Sequence, residues 1–421
     1  MTRTSAVAPR AVWSWALYDF ANSPFTTLVV TFVFATYFTE VVASDSITGT
    51  TLWSRAVTIT ALVVAFTSPV LGALADRGGY RKPFLIAATL VCVAATAALY
   101  GVEAGDVVPA LVLFVVANIA YEFGGVFYNA FLPDLAGPRR MGTVSGWGWG
   151  LGYFGGLLAL LLALMTLVEP ETPWFGFSTV GNENIRATNL LVAAWFLIFS
   201  VPLVLWVHED RGGISGKGRV VIDAYAQLRR TFGEIRKHRQ TVRFLAARLV
   251  YNDALVTIFA FGGIYAAGTF GFEFRDVMIF GIVINLFAGT GAILMGYLDD
   301  LIGAKRTISI SLLGLIIATA IAMSARDPAW FWAAGILIGI FSGPNQAASR
   351  SLMGRFVPPG MQNEFFGFFA FSGKLTAFVG PFLLGLVTQI WGSQRAGISV
   401  VLVLFLIGLI MLQFVDEREA A

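Results

Sequence analysis

The sequence predicts an all-α polytopic membrane protein, with twelve transmembrane helices arranged as two six-helix bundles. Three observations support this prediction: a shortage of charged residues, a series of long apolar segments, and a loop motif that occurs twice. Of the 421 residues, 57% are hydrophobic and only 13% are charged, whereas a soluble protein carries about 25% charged residues. This shortage argues against a soluble protein, because charged side chains make up much of a hydrated surface.

Apolar segments of the required length recur along the whole chain. A bilayer core of about 30 Å needs roughly 20 apolar residues in a helix. Counted along the chain, the fifth segment is Met141–Val168. It is rich in glycine, which favours close helix packing. Eight segments contain no charge: Ala56–Ala75, Pro83–Val102, Met141–Val168, Ala187–Val207, Val277–Leu298, Thr307–Ala325, Pro328–Ser349 and Ala396–Val415. Four more contain one or two charges: Trp13–Val42, Val107–Pro133, Phe244–Gly271 and Phe365–Gln394.

The basic residues lie mainly in alternate loops. If the N-terminus is cytosolic, the predicted cytosolic segments contain 21 of the 28 Lys and Arg residues. The positive-inside rule therefore predicts that both termini lie in the cytosol. The first apolar run has no small-residue cleavage site, so we expect it to be a membrane span and not a signal peptide. The expected location is the plasma (inner) membrane.

The longest polar segment separates the two predicted bundles. We predict an N-terminal six-helix bundle at residues 1–208, a cytosolic linker at 209–243 and a C-terminal six-helix bundle at 244–421. The linker begins with a Gly-rich part, Arg211–Gly218, and continues with apolar residues at helical spacing. This spacing favours an amphipathic helix on the anionic inner leaflet, although a solvated linker helix fits as well. The apolar residues are Tyr225, Leu228, Phe232 and Ile235.

A short motif occurs after the second span and again after the eighth. Both copies read Gly-x3-Asp-x2-Gly-x-basic-basic, and all matched positions lie 224 residues apart. Glycine suits a tight turn, and Asp76 at the membrane edge can cap a helix N-terminus. We predict that the motif forms a cytosolic gate, although its basic residues can also simply follow the positive-inside rule. The gate residues are Gly72, Asp76, Arg77, Gly79, Arg81, Lys82, Asp300, Gly303, Lys305 and Arg306.

The first copy resembles the loop motif of the major facilitator superfamily, Gly-x-Leu-Ala-Asp-Arg-x-Gly-Arg-Lys. The match departs at Tyr80, which displaces the basic pair by one residue. The segments Trp15–Phe25 and Phe244–Asp253 are similar to the vacuole-effluxer-like branch of that superfamily. The resemblance implies the major facilitator fold and a transport function. Members of the branch are associated with amino-acid efflux from the yeast vacuole, and its bacterial members are mostly unassigned.

Polar residues inside the predicted spans are candidates for binding substrate and protons, because a charge in the bilayer needs a partner or water. According to the resemblance, the first, fourth, seventh and tenth spans line the transport cavity. We also expect Pro24 to break the first helix and expose backbone groups there. The candidates are Asp19, Asn22, Glu122, Asp253, Asn345, Gln346 and Lys374.

We therefore expect a secondary transporter that moves small polar solutes, with amino acids as the substrate class, by proton-coupled efflux. Glu122 or Asp253 would bind a proton on one side and release it on the other. A substrate ammonium would face a carboxylate, and a substrate carboxylate would face Lys374. A structural ion pair such as Glu122 with Lys374 is an alternative. Other readings are an exporter of amphipathic drugs or lipids, and a non-transporting membrane scaffold.

Enzymatic and nucleic-acid functions are not expected. The chain has two His and one Cys, which is too few for a metal site or a histidine-based catalytic group in the spans. No cofactor or metal is therefore predicted. Nucleic acid is not an expected partner, because topology explains the positive charge. The expected partners of a monomeric chain are a small-molecule substrate, protons and membrane lipids.

Overall fold

A computed structural model describes residues 8–209, 226–227, 229–231 and 235–420 of the chain. Within these residues all regular elements are helical and no β-strand occurs. The all-α prediction is confirmed for this part of the chain. A helix satisfies its backbone hydrogen bonds internally, which is what a lipid environment requires.

The predicted spans appear as long helices. Eleven helices of the described part are long and apolar enough to cross a membrane. They are α1 (Pro9–Val42), α2 (Ser46–Gly78), α3 (Arg81–Gly101), α4 (Val107–Ala136), α5 (Met141–Val168), α6 (Val180–Trp206), α7 (Arg239–Phe270), α8 (Arg275–Ile302), α9 (Ala304–Ser324), α11 (Gln362–Trp391) and α12 (Gln394–Gln413).

The tenth predicted span lies in helix α10, Pro328–Phe356. This helix has 29 residues, which is long enough to cross the bilayer. It is not among the eleven because polar residues lower the hydropathy of its second half. These residues include Ser342, Asn345, Gln346, Ser349 and Arg350. Eleven of the twelve predicted spans are thus confirmed by length and composition.

The helix interruption is not where the sequence predicted it. We expected Pro24 to break α1, and this expectation is wrong. The helix continues through Pro24 and changes to π-helical hydrogen bonding at Phe25–Phe32. Proline lacks an N–H donor, and the wider π-helical turn keeps the chain helical at this point. Helix α11 is interrupted instead: its first half ends at Lys374 and its second half begins at Val379.

The helices pack into two compact units. Of the described residues, unit 1 contains 8–64, 79–128 and 151–209, and unit 2 contains 65–78, 129–150, 226–227, 229–231 and 235–420. The short segments 65–78 and 129–150 thus pack with C-terminal helices. The predicted division into 1–208, 209–243 and 244–421 stays a prediction. The predicted amphipathic helix falls on the linker, and Arg211–Gly218, Tyr225, Leu228 and Phe232 lie outside the described residues.

Aromatic side chains and glycines hold α1 in unit 1. The Trp15 indole N–H donates to the Tyr128 carbonyl oxygen of α4 at 2.9 Å, and the two rings stack. The Trp195 indole N–H of α6 donates to the Phe20 carbonyl oxygen at 3.1 Å. A Cβ atom on Gly155 of α5 would overlap that same carbonyl oxygen. Close packing, predicted from the α5 glycines, is confirmed at this position.

Small residues bring α8 and α10 together in unit 2. A Cβ atom on Gly343 would overlap the backbone of Ala288, and one on Gly339 would lie 2.6 Å from the Ile284 carbonyl oxygen. The clash would be with backbone, which cannot rotate away as a side chain can. The two helices can therefore be this close only with glycine at both positions.

Replacing Gly343 with Val should destabilise unit 2. The added atoms would force α8 and α10 apart, and overpacking of this kind costs about 1–3 kcal/mol. The thermal midpoint of the purified protein would report the effect. Gly281→Val on α8 is the matched control, since a Cβ there meets nothing within 4 Å. Equal midpoints for the two variants would contradict this account of the packing.

Candidate functional site

In unit 1, two of the predicted acidic residues lie near one tyrosine. Asp19 of α1 and Glu122 of α4 are both within electrostatic range of the Tyr121 hydroxyl. The Tyr121 ring stacks on Phe25, with 5.1 Å between ring centroids. Both carboxylates are half-buried, and Asn22 is buried one turn after Asp19. Sequence reasoning missed Tyr121, although its place beside Glu122 in an apolar span was a signal.

In unit 2, helix α7 binds the first side of the α11 interruption. Arg248 NH1 donates to the Phe369 carbonyl oxygen and to Ser372 Oγ, both at 2.7 Å. The guanidinium also lies 3.6 Å from the centroid of the Phe369 ring. Asn252 Nδ2 donates to the Gly373 carbonyl oxygen at 3.3 Å. Gly373 lies in the last turn of this half-helix, where carbonyl groups have no intrahelical donor, so the amide of Asn252 suits it.

Asp253 binds the other side of the same interruption. Its Oδ2 accepts a hydrogen bond from the Gly380 backbone N–H at 2.9 Å, at the second residue of the half-helix Val379–Trp391. A carboxylate suits this place because free N–H groups and the positive dipole end meet there. Asp253 is 2% exposed, and its Oδ1 has no hydrogen-bond partner within the described part of the chain.

Asn345 of α10 provides a second buried polar group. It is fully buried, and neither its Oδ1 nor its Nδ2 has a hydrogen-bond partner among the residues the structure describes. The backbone oxygen of Asn345 accepts from Ser349 Oγ at 2.6 Å, and Ser349 bonds to the Tyr251 hydroxyl of α7 at 2.8 Å. The two remaining predicted residues of unit 2, Gln346 and Lys374, are half-buried.

Asp76 of the repeated motif caps the N-terminus of α11. Its Oδ1 accepts from the backbone N–H of Asn363 at 3.0 Å and from Asn363 Nδ2 at 2.7 Å, and its Oδ2 accepts from the Glu364 N–H at 2.8 Å. These N–H groups belong to the first turn of α11, where no intrahelical acceptor exists. Gly72 permits the approach, because a Cβ there would overlap the Asn363 carbonyl oxygen.

Asp300 of the second copy makes the same contact with α5. Its two oxygens accept from the backbone N–H groups of Gly142 and Thr143 at 2.7 and 2.8 Å. These are the second and third residues of α5, as Asn363 and Glu364 are of α11. The repeat therefore has a structural meaning, since each copy places its Asp in the same register at a helix start.

The basic pair of each copy lies in the first turn of the next helix. In unit 1, the backbone N–H groups of Arg81 and Lys82 both donate to Glu209 at 3.0 Å, and Lys82 Nζ donates to the Val207 carbonyl oxygen at 2.7 Å. Gly79 turns the chain before this helix with φ = +62°, a conformation that favours glycine. Arg77 is exposed.

The second copy makes a similar arrangement in unit 2, one residue earlier in the motif. The backbone N–H groups of Ala304 and Lys305 donate to Glu417 at 2.8 and 3.0 Å, and Lys305 Nζ donates to the Gln413 carbonyl oxygen at 2.9 Å. Gly303 makes the turn with φ = +96°. Arg306, like Arg77, is exposed. Sequence reasoning missed Glu209 and Glu417, which lie far from the motif in sequence.

Arg355 connects the acidic groups of the second copy. Its guanidinium contacts Asp299 at 2.5 Å, Asp300 at 3.3 Å and Glu417 at 3.2 Å. In the sequence analysis, Arg355 was only one of the basic residues assigned to the cytosolic side. The two adjacent carboxylates of Asp299 and Asp300 could have indicated that a cation lies beside them. Arg350 was also given no functional role in the sequence analysis. This residue is buried, and its guanidinium donates hydrogen bonds to the Ser145 carbonyl oxygen and other groups.

Comparison with known protein families identifies the chain. The family model described as "Vacuole effluxer Atg22 like" matches residues 42–421. The chain belongs to this family. The uncharacterized MFS-type transporter YxiO of Bacillus subtilis (strain 168) is 29% identical over 97% of this chain and 95% of its own length. Autophagy-related protein 22-1 of Penicillium rubens is 23% identical over 66% of this chain, which spans only 50% of that relative.

The fold of this Atg22-like chain is that of the major facilitator superfamily. The proton:xylose symporter XylE of that superfamily matches 97% of this chain and 95% of its own, with a TM-score of 0.74 and 14% identity. The predicted family and fold are therefore confirmed. They are a family and a fold of transporters, not of enzymes, and the chain is a multi-pass membrane protein.

Replacing Asp76 with Ala should free the start of α11 from the end of α2. Loss of a helix cap costs about 1 kcal/mol, which would shift a two-state population by about fivefold. Spin labels on Arg77→Cys and Gln362→Cys, in a Cys92→Ser background, would report the separation of α2 and α11 as a longer distance between the labels, measured by double electron–electron resonance. Asp416→Ala is the control, since Asp416 is exposed and caps none of the long helices. Unchanged distances after Asp76→Ala would contradict a holding role for this cap.

Proposed function

We propose that this Atg22-like transporter moves amino acids, or closely similar small polar solutes, by alternating access and proton-coupled efflux. The observation that carries the proposal is the environment of Asp253. Its carboxylate is buried in a membrane-spanning helix, with one oxygen on the start of a half-helix and the other unpaired in the described structure. A carboxylate at such a position calls for a functional explanation.

Proton binding at Asp253 would change the contact between α7 and α11. The ionised carboxylate is attracted to the free N–H groups and to the positive end of the half-helix that begins at Val379. Protonation removes this charge and so weakens the attraction. A proton on Asp253 would therefore loosen the second half of α11, while Arg248 and Asn252 still hold the first half.

The same region offers groups for both ends of an amino acid. The unpaired oxygen of Asp253 can accept a hydrogen bond from an ammonium group. Lys374 follows Gly373, which Asn252 binds from α7, so its cation belongs to the same interruption and suits a carboxylate. The Asn345 amide, unpaired in the described structure, can both donate and accept. Gln346, the next residue of α10, is proposed to assist in binding the substrate.

In unit 1, Asp19, Asn22 and Glu122 are proposed to act in the same transport cycle. Glu122 is a second candidate for proton exchange, because its carboxylate is half-buried in a membrane-spanning helix, where an acidic group needs a functional reason. The ion pair of Glu122 with Lys374 stays an alternative prediction.

The repeated motif is proposed to act as a cytosolic gate. Asp76 and Asp300 join segments 65–78 and 129–150 to C-terminal helices of unit 2, and Arg355 pairs with Asp300. Breaking these contacts leaves each helix intact, which suits an opening movement.

The proposal includes the three-part division of the chain, cytosolic termini, a monomer and the plasma membrane. A membrane-impermeant maleimide that labels Arg418→Cys in intact cells would overturn the topology.

Transport by the purified protein in proteoliposomes tests the function. Labelled amino acids should exchange across the membrane and should accumulate when a proton gradient is imposed. Asp253→Asn should keep exchange, since the amide oxygen can still accept from the Gly380 N–H, but should lose at least tenfold in gradient-driven accumulation. The control Glu171→Gln changes an exposed loop carboxylate and should behave like the parent protein.

Three outcomes would count against the proposal. Movement of no solute by well-folded protein would favour a scaffold. Transport of amphipathic compounds alone would favour an exporter of drugs or lipids. Gradient-driven accumulation that survives Asp253→Asn would remove Asp253 from proton coupling, and Glu122→Gln would then test the second candidate.

A further inference from the structure

Unit 2 contains an apolar cavity that the proposed transport mechanism does not use. Its volume is about 420 Å³, within the range of small-molecule sites. Its walls come from α2, α7 and α11, and from the end of the linker. The side chains from the three helices are nearly all apolar and include Ala65, Phe66, Val70, Leu245, Ala246, Leu249, Phe368 and Phe371.

The position of the cavity limits what can enter it. Its helical walls lie in membrane spans, where the surrounding medium is hydrocarbon. Phe66 and Val70 of α2 remain 63% and 51% exposed, so the cavity is not sealed by its own side chains. An apolar opening at this depth meets lipid acyl chains and not water.

One edge of the cavity carries polar and basic groups. Thr231 and His238 of the linker and Thr241 of α7 line this edge, and the His238 ring packs edge-on against Phe365. Residues 226–243 contain six Arg or Lys and a single Glu. Four of them, Arg229, Arg230, Lys237 and Arg239, are exposed and lie within two residues of Thr231 or His238 in the chain. Neighbouring residues are about 3.8 Å apart along the chain, so these four basic residues flank this edge.

We propose that this cavity binds one anionic phospholipid. An acyl chain fills the apolar space between α2, α7 and α11, and the phosphate lies against the basic residues around Thr231 and His238. Clusters of four to eight basic residues beside a span attract anionic lipid heads. A zwitterionic lipid would gain the same apolar contacts but less from the charges.

The bound lipid would also support the proposed gate. The cavity wall includes Phe365, the residue after Glu364, whose N–H is bound by Asp76. Pro69 lines the same cavity one turn before Ala73 in α2 and packs against Gly367 of α11. An acyl chain in this place contacts both helices that the Asp76 cap joins. Binding itself does not depend on the transport proposal.

Native mass spectrometry of the purified protein with phosphatidylglycerol or phosphatidylcholine of identical acyl chains tests the site. We expect one phosphatidylglycerol to be retained at least tenfold more tightly than phosphatidylcholine. Ala246→Phe fills the cavity and should remove this lipid, whereas Ala260→Phe, at an exposed position of α7 away from the cavity, should not. If Ala246→Phe does not fold, Val242→Trp makes the same test from the cavity wall.

The charged edge is tested separately. Joint replacement of Arg229, Arg230 and Arg239 by Gln should abolish the preference for phosphatidylglycerol over phosphatidylcholine. The matched control replaces three exposed basic residues elsewhere by Gln, namely Arg139, Arg140 and Arg418. Equal retention of the two lipids by the parent protein would overturn the proposal. So would phosphatidylglycerol binding that survives a folded cavity-filling variant.

Discussion

A carboxylate bound to free backbone N–H groups at the start of a helix is the interaction on which this structure depends. Asp76, Asp300, Glu209 and Glu417 each bind two such groups, and Asp253 binds one. The backbone N–H groups in the first turn of a helix have no acceptor within that helix. In a membrane protein, little water is present to accept their hydrogen bonds. A carboxylate supplies both the acceptors and the matching charge. Each contact joins separate segments, so it can break while both helices stay folded.

The five carboxylates are not equivalent, and the difference suggests how the molecule works. Both oxygens of Asp76 and of Asp300 are occupied by hydrogen bonds. Only one oxygen of Asp253 is bound in the described structure. The first two fit a holding role, because loss of either carboxylate would break three hydrogen bonds together. Asp253 fits a responsive role, because its other oxygen can take up a proton or a substrate group, and a proton there weakens the hold of the bound oxygen on α11.

The sequence predicted the spans well because their length and apolar content are local properties. Met141–Val168 has the same bounds in the sequence and in the structure. The motif around Asp76 and Asp300 was visible because it repeats. The partners Glu209, Glu417 and Arg355 were not, since such contacts join residues distant in the chain. The two prolines had opposite outcomes: Pro381, which the sequence interpretation overlooked, lies in the first turn after the α11 interruption and cannot donate to the Ala377 carbonyl oxygen, whereas Pro24 was accommodated by a π-helical turn.

The central claim is that a buried carboxylate on α7 exchanges a proton as solute moves. The most direct measurement is proton flux driven by a solute gradient, followed with a pH-sensitive dye trapped inside proteoliposomes that carry no imposed pH gradient. The account predicts that an amino-acid gradient moves protons with the parent protein and not with Asp253→Asn. Amino-acid movement through the parent protein without any proton movement would contradict it.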